Sequence, residues 1–341
     1  MKSKNAITIA IYTKLNTTIS QSRHLLSSKF KNVDISYKYI VDTESSSINE
    51  QLTSPSETVL LSDPTISVED FKAIPNNVKW VQFTWAGIDN LVKRFDPTDY
   101  KSFKPHFAIT RYGGSFNKGM SDYVVGHIIA MERNLNLAFV NQQKNVWDQG
   151  PLYHYRCFSD LTVGVLGAGN IGMDISKDLK NLGARVLALK RTLPEKDHKH
   201  PVDKFYTTKE LDTFLSSCDY FCNVLPHTAE TVDLLSGDKL KNCKERNAGF
   251  INIGRGTVIN ESSILKALEE RWIRGCALDV FPIEPLPSSS PLWKAPNCVI
   301  TPHISGTSFT KENPYNPFVE NMERYLLGQE LQHKFDWENM Y

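Results

Sequence analysis

The chain carries almost no net charge, no C-x-x-C pair and no long apolar run, and each absence removes a class of function. Its 39 Lys and Arg against 38 Asp and Glu leave a formal charge of +1, too weak a field to capture nucleic acid or an anionic membrane. The six cysteines, Cys157, Cys218, Cys222, Cys243, Cys276 and Cys298, are scattered without a C-x-x-C pair. Neither a zinc site nor a disulfide framework is therefore indicated, and a reducing compartment, the cytosol, is the expected home. The opening stretch MKSKNAITIAIYTK holds too short an apolar run for a signal peptide, and nowhere do about 18 apolar residues run together to span a bilayer. Internal repeats and low-complexity segments are missing too.

What is present is an ordinary globular composition, 40% apolar over 341 residues. That length suits two domains of roughly 100 to 200 residues each, with a cleft between them fit for a small molecule. Early in the chain, β-rich runs at 6–11, 59–61 and 80–83 alternate with polar stretches, predicting a small α/β unit. Residues 121–140, SDYVVGHIIAMERNLNLAFV, are long and largely apolar and predict one helix, buried or partner-facing. From residue 161 onward, strand, glycine and helix recur, the pattern of a parallel sheet with crossovers. LTVGVL predicts a strand and GAGNIGMDISKDLKNLG a turn into a helix, with Ile171, Ile175, Leu179 and Leu182 on one face and Gly183 as its stop. Further strands are expected at 185–189, 220–224, 249–253, 276–280 and 298–300, and a helix at 262–274 capped by Asn260. A last amphipathic run, 317–327, is long enough to fold back on the first domain. The fold class that follows is α/β: two Rossmann-like domains, each a doubly wound parallel sheet. A flavodoxin-like substrate domain spans 1–105 and 306–341, and a dinucleotide-binding domain spans 106–305.

Gly167, Gly169 and Gly172 form G-x-G-x-x-G directly after a predicted strand and at the start of a helix. The first glycine permits the tight turn, the second lets backbone approach a pyrophosphate, and the third lets helix pack on strand. Ala168, Asn170 and Ile171 complete this cofactor turn, with the anion on free N–H groups at the helix start. The position that selects the nicotinamide cofactor, 23 residues beyond Gly167, holds Lys190, followed by Arg191 and Thr192. An acid there would bind both ribose hydroxyls of NAD and repel a 2′-phosphate. Two cations and a hydroxyl favour NADP(H) instead, with NAD(H) as the alternative if they merely solvate a strand end. The nearest acid, Glu195, follows Pro194 into the loop.

Three further segments follow predicted strands: Asn252-Ile253-Gly254-Arg255-Gly256, Asp279-Val280-Phe281-Pro282-Ile283-Glu284-Pro285-Leu286 and Thr301-Pro302-His303. In an open parallel sheet strand carboxyl ends face one crevice, so these can converge. With WVQFTWAGIDNL at 80–91, the glycine turn and LPHTAETVDLL at 225–235, the chain resembles the D-isomer-specific 2-hydroxyacid dehydrogenase family, and within it the glyoxylate and hydroxypyruvate reductases. The resemblance implies that Arg255 holds the substrate carboxylate or polarises its carbonyl, as an always-charged guanidinium can. His303 would be the general acid in reduction and the base in oxidation, and Glu284 would fix its tautomer and favour the imidazolium. Leu225, Pro226 and Ile253 would line the cofactor. Asp279 would contact the nicotinamide carboxamide or ribose, unless it bonds backbone in a tight turn.

Trp85, Ala86 and Gly87 resemble the family loop whose backbone N–H groups receive the substrate carboxylate, Gly87 having no Cβ to block approach. Trp85 would shrink that pocket or stack on a polar substrate, unless it is plain core, and the Arg111-Tyr112-Gly113-Gly114 loop is a further candidate for the cleft. At Tyr123 to His127 the chain departs from the family's frequent Ala-Glu pair, and no catalytic role is carried over there. Relatives imply a homodimer through the cofactor domain. The expected reaction is NADP(H)-dependent reduction of a small 2-oxo acid to the D-2-hydroxy acid. The rival is a nucleotide-sensing, corepressor-like binding protein of the same fold, which keeps the same Arg, Glu and His but acts through protein partners.

Overall fold

The computed structural model describes residues 6–12, 29–31, 33–40, 47–114, 117–193, 200–306 and 316–335. Two compact units result, Met1–Ser115 with Ser308–Tyr341, and Phe116–Thr307. In the first, β1 (Ile7–Tyr12), β2 (Ile35–Tyr39), β3 (Glu57–Ser62), β4 (Val78–Phe83) and β5 (Ala108–Thr110) form a parallel sheet in the order β2-β1-β3-β4-β5, the flavodoxin-like arrangement. The runs of β1 and β3 are almost wholly buried, as expected of strands covered on both faces. Ile7, Ile9, Ile11, Val59, Leu61 and Trp80 pack on one side against Phe318, Val319 and Met322 of the helix Asn316–Leu326. The expected return of the C-terminal run to the first unit is thus what forms. Ala10, Leu60, Val81 and Phe83 face the other way, onto Ile48, Leu52, Phe71 and Leu91. The boundary expected at residue 105 lies about ten residues later, because Ala108, Ile109 and Thr110 pair with Trp80, Val81 and Gln82 in this first sheet.

The second unit carries seven parallel strands: β6 (Thr162–Leu166), β7 (Arg185–Leu189), β8 (Lys204–Tyr206), β9 (Tyr220–Asn223), β10 (Ala248–Asn252), β11 (Ile273–Leu278) and β12 (Cys298–Ile300). Their order is β12-β11-β10-β9-β6-β7-β8. The chain therefore steps outward from β6 to β8, then restarts on the other side at β9. That reversal is the switch point at which open α/β sheets bind ligands, outside the strand carboxyl ends. Among the described residues no helix is long and apolar enough to cross a membrane.

Two helices differ from expectation. The run 121–140 is two helices, Asn117–Glu132 and Leu135–Gln143, parted at Asn134, whose φ of 47° is left-handed. Asn is among the residues that adopt this conformation most readily, and the Asn134 Nδ2 donates to Pro151 O at 2.9 Å. The first helix buries Met120, Val124 and Ile128, and the second buries nothing. The helix expected at 262–274 ends at Glu269; Arg271 turns left-handed at φ 55° and β11 starts at Ile273. Asn260 caps it as expected, accepting from the Ser263 N–H at 2.9 Å.

A buried ion network anchors the helix Asn117–Glu132 to the sheet. Glu132 accepts from Arg156 Nη2 at 2.7 Å, from Tyr220 Oη at 2.7 Å and from Arg274. Arg156 also reaches Asp219 at 2.8 Å, and Asp219 accepts from the Thr162 N–H at 2.7 Å. Burial alone would raise the Glu132 carboxyl, but hydrogen bonds from Arg156 and Tyr220 and the Arg274 charge overcome it and hold it down at about 2. Its folded value lies below its usual one, so its contribution is present above about pH 4.5 and is lost as pH falls toward 2. Glu132→Gln is expected to destabilise this unit by about 3 kcal/mol at neutral pH. Thermal melts from pH 7 to 3 check this: the gap to the parent should close on the acid side, and a constant gap speaks against the charge.

Candidate active site

Three glycines shape the turn after β6, each for its own steric reason. Gly167 has a φ of +109°, which side chains rarely allow. A Cβ on Gly169 would meet nothing within 4 Å, so backbone there lies open. A Cβ on Gly172 would stand 1.9 Å from the Gly167 carbonyl oxygen, so helix and turn meet only if it is glycine. The helix Asn170–Asn181 begins from Gly169 with no side chain capping it, leaving its first N–H groups for an anion. Ala168 is buried beneath this cradle, Asn170 is exposed in the first helical turn and Ile171 is half-buried. A dinucleotide pyrophosphate fits such a donor set.

Neighbouring strand ends close on the turn. A Cβ on Gly167 would lie 3.3 Å from the Leu225 N atom, so Val224 and Leu225 of the loop after β9 rest against it, and Pro226 follows them. Leu225 N–H donates to Asn223 Oδ1 at 3.1 Å, and Asn223 Nδ2 donates to Asn252 Oδ1 at 2.9 Å. These two buried Asn residues tie the ends of β9 and β10 together and hold the chain at Ile253, itself buried. Sequence reasoning passed over them, although a polar Asn closing each apolar strand was the available signal. At the end of β7, the Lys190 N–H donates to Tyr206 O at 2.9 Å, with Lys190 half-buried and Arg191 and Thr192 exposed. Glu195 and Pro194 lie outside the described residues.

The three reactive segments all follow strands of this sheet. Arg255 sits between two glycines that bring its loop inward: a Cβ on Gly254 would lie 2.8 Å from Asn223 Nδ2, and one on Gly256 only 2.0 Å from the Phe281 carbonyl carbon. The Arg255 backbone oxygen accepts from Asn252 Nδ2 at 3.2 Å, and its Nη1 donates to Gly254 O at 2.7 Å. Glu284 uses both oxygens, accepting from the Phe281 N–H at 2.9 Å and pairing with His303 Nδ1 at 2.7 Å. The acceptor-only carboxylate fixes the proton on Nδ1 and leaves Nε2 for other partners. Burial would raise the Glu284 carboxyl, but the hydrogen bonds of His303 and Phe281 and the His303 and Arg255 charges hold it below the usual range. The Glu284 hydrogen bond in turn lifts His303 above its ordinary range against the effect of burial.

Asp279 bonds backbone in a tight turn, the second of the two readings left open for it. It is fully buried, and its oxygens accept from Thr301 Oγ1 at 2.5 Å, the Ile304 N–H at 2.8 Å and the Ser305 N–H at 2.8 Å. A carboxylate so bonded holds the turn that bears His303. A strand-end acid beside a run of free N–H groups satisfies itself on them. Among the described residues, no group of three or more His, Cys, Asp or Glu stands close enough to hold a metal ion.

In the first unit, Trp85, Ala86 and Gly87 leave β4 as a half-buried loop that ends at buried Ile88. The Tyr112 N–H donates to Trp85 O at 3.1 Å and Arg111 Nη1 to Ala86 O at 3.4 Å. The two loops singled out in the sequence are thus bonded to each other through carbonyls, which leaves the N–H groups of Ala86 and Gly87 outside those bonds.

Residues 125–305 match the family described as D-isomer specific 2-hydroxyacid dehydrogenase, NAD binding domain. Among solved structures, the chain is 31% identical to a D-isomer specific 2-hydroxyacid dehydrogenase family protein from Aeromonas salmonicida, covering 98% of this chain and 100% of that one, TM-score 0.79. It is 26% identical to a probable 2-hydroxyacid dehydrogenase from Rhizobium etli in complex with NADP, over 98% and 100% of the two chains, TM-score 0.79. A D-isomer specific 2-hydroxyacid dehydrogenase from Xanthobacter autotrophicus in complex with NADPH is 26% identical over 99% and 100%, TM-score 0.81.

Proposed function

Because this chain belongs to the D-isomer-specific 2-hydroxyacid dehydrogenase family, we propose that it reduces a short 2-oxo acid, such as glyoxylate or hydroxypyruvate, to the D-2-hydroxy acid with NADPH. The observation that carries this reading is the 2.7 Å bond from His303 Nδ1 to Glu284, which favours the imidazolium at the end of the sheet where open α/β folds bind their ligands. The reduced nicotinamide, when bound, supplies the hydride. Everything else falls to the chain. Gly167, Ala168, Gly169, Asn170, Ile171 and Gly172 receive the pyrophosphate, and Leu225, Pro226 and Ile253 border the cofactor. His303 Nε2 donates its proton to the carbonyl oxygen as negative charge develops there. Glu284 favours the protonated ring, and Arg255 holds the carboxylate or polarises the carbonyl. The N–H groups of Trp85, Ala86 and Gly87 are the second carboxylate receptor.

Lys190, Arg191 and Thr192 receive the 2′-phosphate, which makes NADPH the favoured cofactor. Their position at the end of β7, with no acid among them, supports this. The exposed apolar side chains of the second helix, Leu135, Leu137, Phe139 and Val140, suit coverage by a second copy, in keeping with the homodimer that relatives imply. Steady-state rates for a panel of 2-oxo acids with NADPH and NADH test the reading. Glyoxylate or hydroxypyruvate with NADPH should lead, and the double variant Lys190→Ala, Arg191→Ala should lose about 10- to 100-fold of the NADPH preference. An enzyme that prefers NADH before mutation sinks the assignment to those two cations.

A further inference from the structure

The turn that carries His303 is held in a conformation its own sequence does not favour. His303 has a φ of 54°, in the left-handed region, which costs a residue with a side chain and persists only where surroundings impose it. What imposes it is Asp279. The His303 N–H donates to the Asp279 carbonyl at 2.9 Å, while the Asp279 carboxylate takes the N–H groups of Ile304 and Ser305 and the hydroxyl of Thr301. A carboxylate only accepts, so Thr301 spends its single proton there. The Thr301 oxygen then serves as acceptor for the one other group on it, the Tyr123 hydroxyl at 2.7 Å. The chain of donors therefore has one direction, from Tyr123 to Thr301 to Asp279. Tyr123 sits on the helix Asn117–Glu132, whose far end the Glu132 network fixes to the sheet. One helical turn on, His127 packs on the Tyr123 ring, centroids 4.2 Å apart at 49°, which restrains the side chain. Burial pushes the Tyr123 hydroxyl up to about 12, so it remains a donor throughout the working range.

We propose that Tyr123 is a positioning residue for the proton-transfer step, its hydroxyl completing a hydrogen-bonded chain through Thr301 and Asp279 that holds His303 in its left-handed turn against Glu284. The inference rests on the reading of His303 as general acid. It adds a residue from a helix distant in sequence, at a position where the family resemblance offered nothing to carry over. In a chain of bonds around a buried carboxylate each bond polarises the next, so losing the outermost donor weakens those inside it.

The groups facing His303 are Glu284 and Asp279, both acids, and the Arg255 cation; Tyr123 faces Asp279 and His127. Tyr123→Phe keeps the ring and its packing and removes only the hydroxyl. It is expected to lower kcat about tenfold with KM for the 2-oxo acid within about twofold. The alkaline limb of the reduction profile, where His303 loses its proton, should move down by about half a pH unit as the grip of Glu284 loosens. A role in stability alone would lower the melting temperature and leave that limb in place. Thr301→Val should reproduce the rate loss and the shifted limb, and Thr301→Ser, which keeps the hydroxyl, should recover most of both. If Tyr123→Phe folds poorly, the Thr301 pair decides. Unchanged kcat and limb in Tyr123→Phe, or equal rates in the two Thr301 variants, overturns the proposal. His303→Ala measured alongside separates the two levels: activity retained there removes the general-acid reading itself, whereas activity lost there with Tyr123→Phe intact removes only the role of Tyr123.

Discussion

His303→Ala is expected to lower kcat for 2-oxo acid reduction by about 10²- to 10⁴-fold, the usual contribution of a positioned proton donor. Because Nδ1 is engaged by Glu284, alanine removes a proton-transfer group and no cofactor contact, so NADPH affinity should change little. The pH profile carries the sharper signature. Reduction needs the imidazolium, and the Glu284 hydrogen bond raises its folded value above the ordinary 6.5. The rate should therefore fall as pH rises through that raised value, later than it would for a histidine at its ordinary value, with oxidation following the opposite trend. Glu284 stays ionised below the usual carboxylate range, so the pair remains charge-complementary across that window. In His303→Ala this limb should vanish. A variant that keeps both its rate and its limb would mean that the proton comes from elsewhere, and the function proposed here would fall with it.

Much of this site could be read before any coordinates because it obeys local rules. The strands announced themselves as short apolar, β-branched runs, and Arg185–Leu189 and Cys298–Ile300 lie where expected. The glycine turn was legible for a similar reason: its residue types answer to steric demands within a few positions. What escaped depends on contacts made far along the chain. β5 (AIT) and β8 (KFY) mix polar and apolar residues over three positions, so no apolar run marks them as CVI marks β12. The break at Asn134 is invisible in an apolar run, because hydropathy reports burial and not handedness. The engagement of Asp279 by Thr301, Ile304 and Ser305 links residues 22 to 26 positions apart, and no spacing rule anticipates which polar groups meet at a strand end. A residue's type advertises reactivity well and its partners poorly, which is why Arg255, Glu284 and His303 stand out in the sequence as candidates and the network that holds them does not.

Gly172→Ala sets two physical effects against each other and so tests which governs the cofactor turn. Helix propensity favours alanine over glycine by about 1 kcal/mol within a helix, and Gly172 lies inside Asn170–Asn181. Sterics oppose it, since the added methyl would stand 1.9 Å from the Gly167 carbonyl oxygen and 3.2 Å from Val165 Cγ1. That oxygen belongs to backbone and cannot swing aside as a side-chain tip would. The helix must lift away from β6 and carry its first N–H groups with it. Overpacking of this kind costs about 1–3 kcal/mol in stability, and the displaced cradle should weaken NADPH binding by about 100-fold, measurable by fluorescence titration. Gly126→Ala provides the contrast, because its Cβ would meet nothing within 4 Å; there propensity acts alone and should stabilise the helix by about 0.5–1 kcal/mol. Gly169→Ala separates fold from ligand. Its methyl also has free space in the protein itself, so a loss of NADPH affinity without a loss of stability would report on the approach of the pyrophosphate. If Gly172→Ala instead melts and binds NADPH as the parent does, the third glycine is not a packing requirement and the close approach of helix to strand is not what forms the cradle.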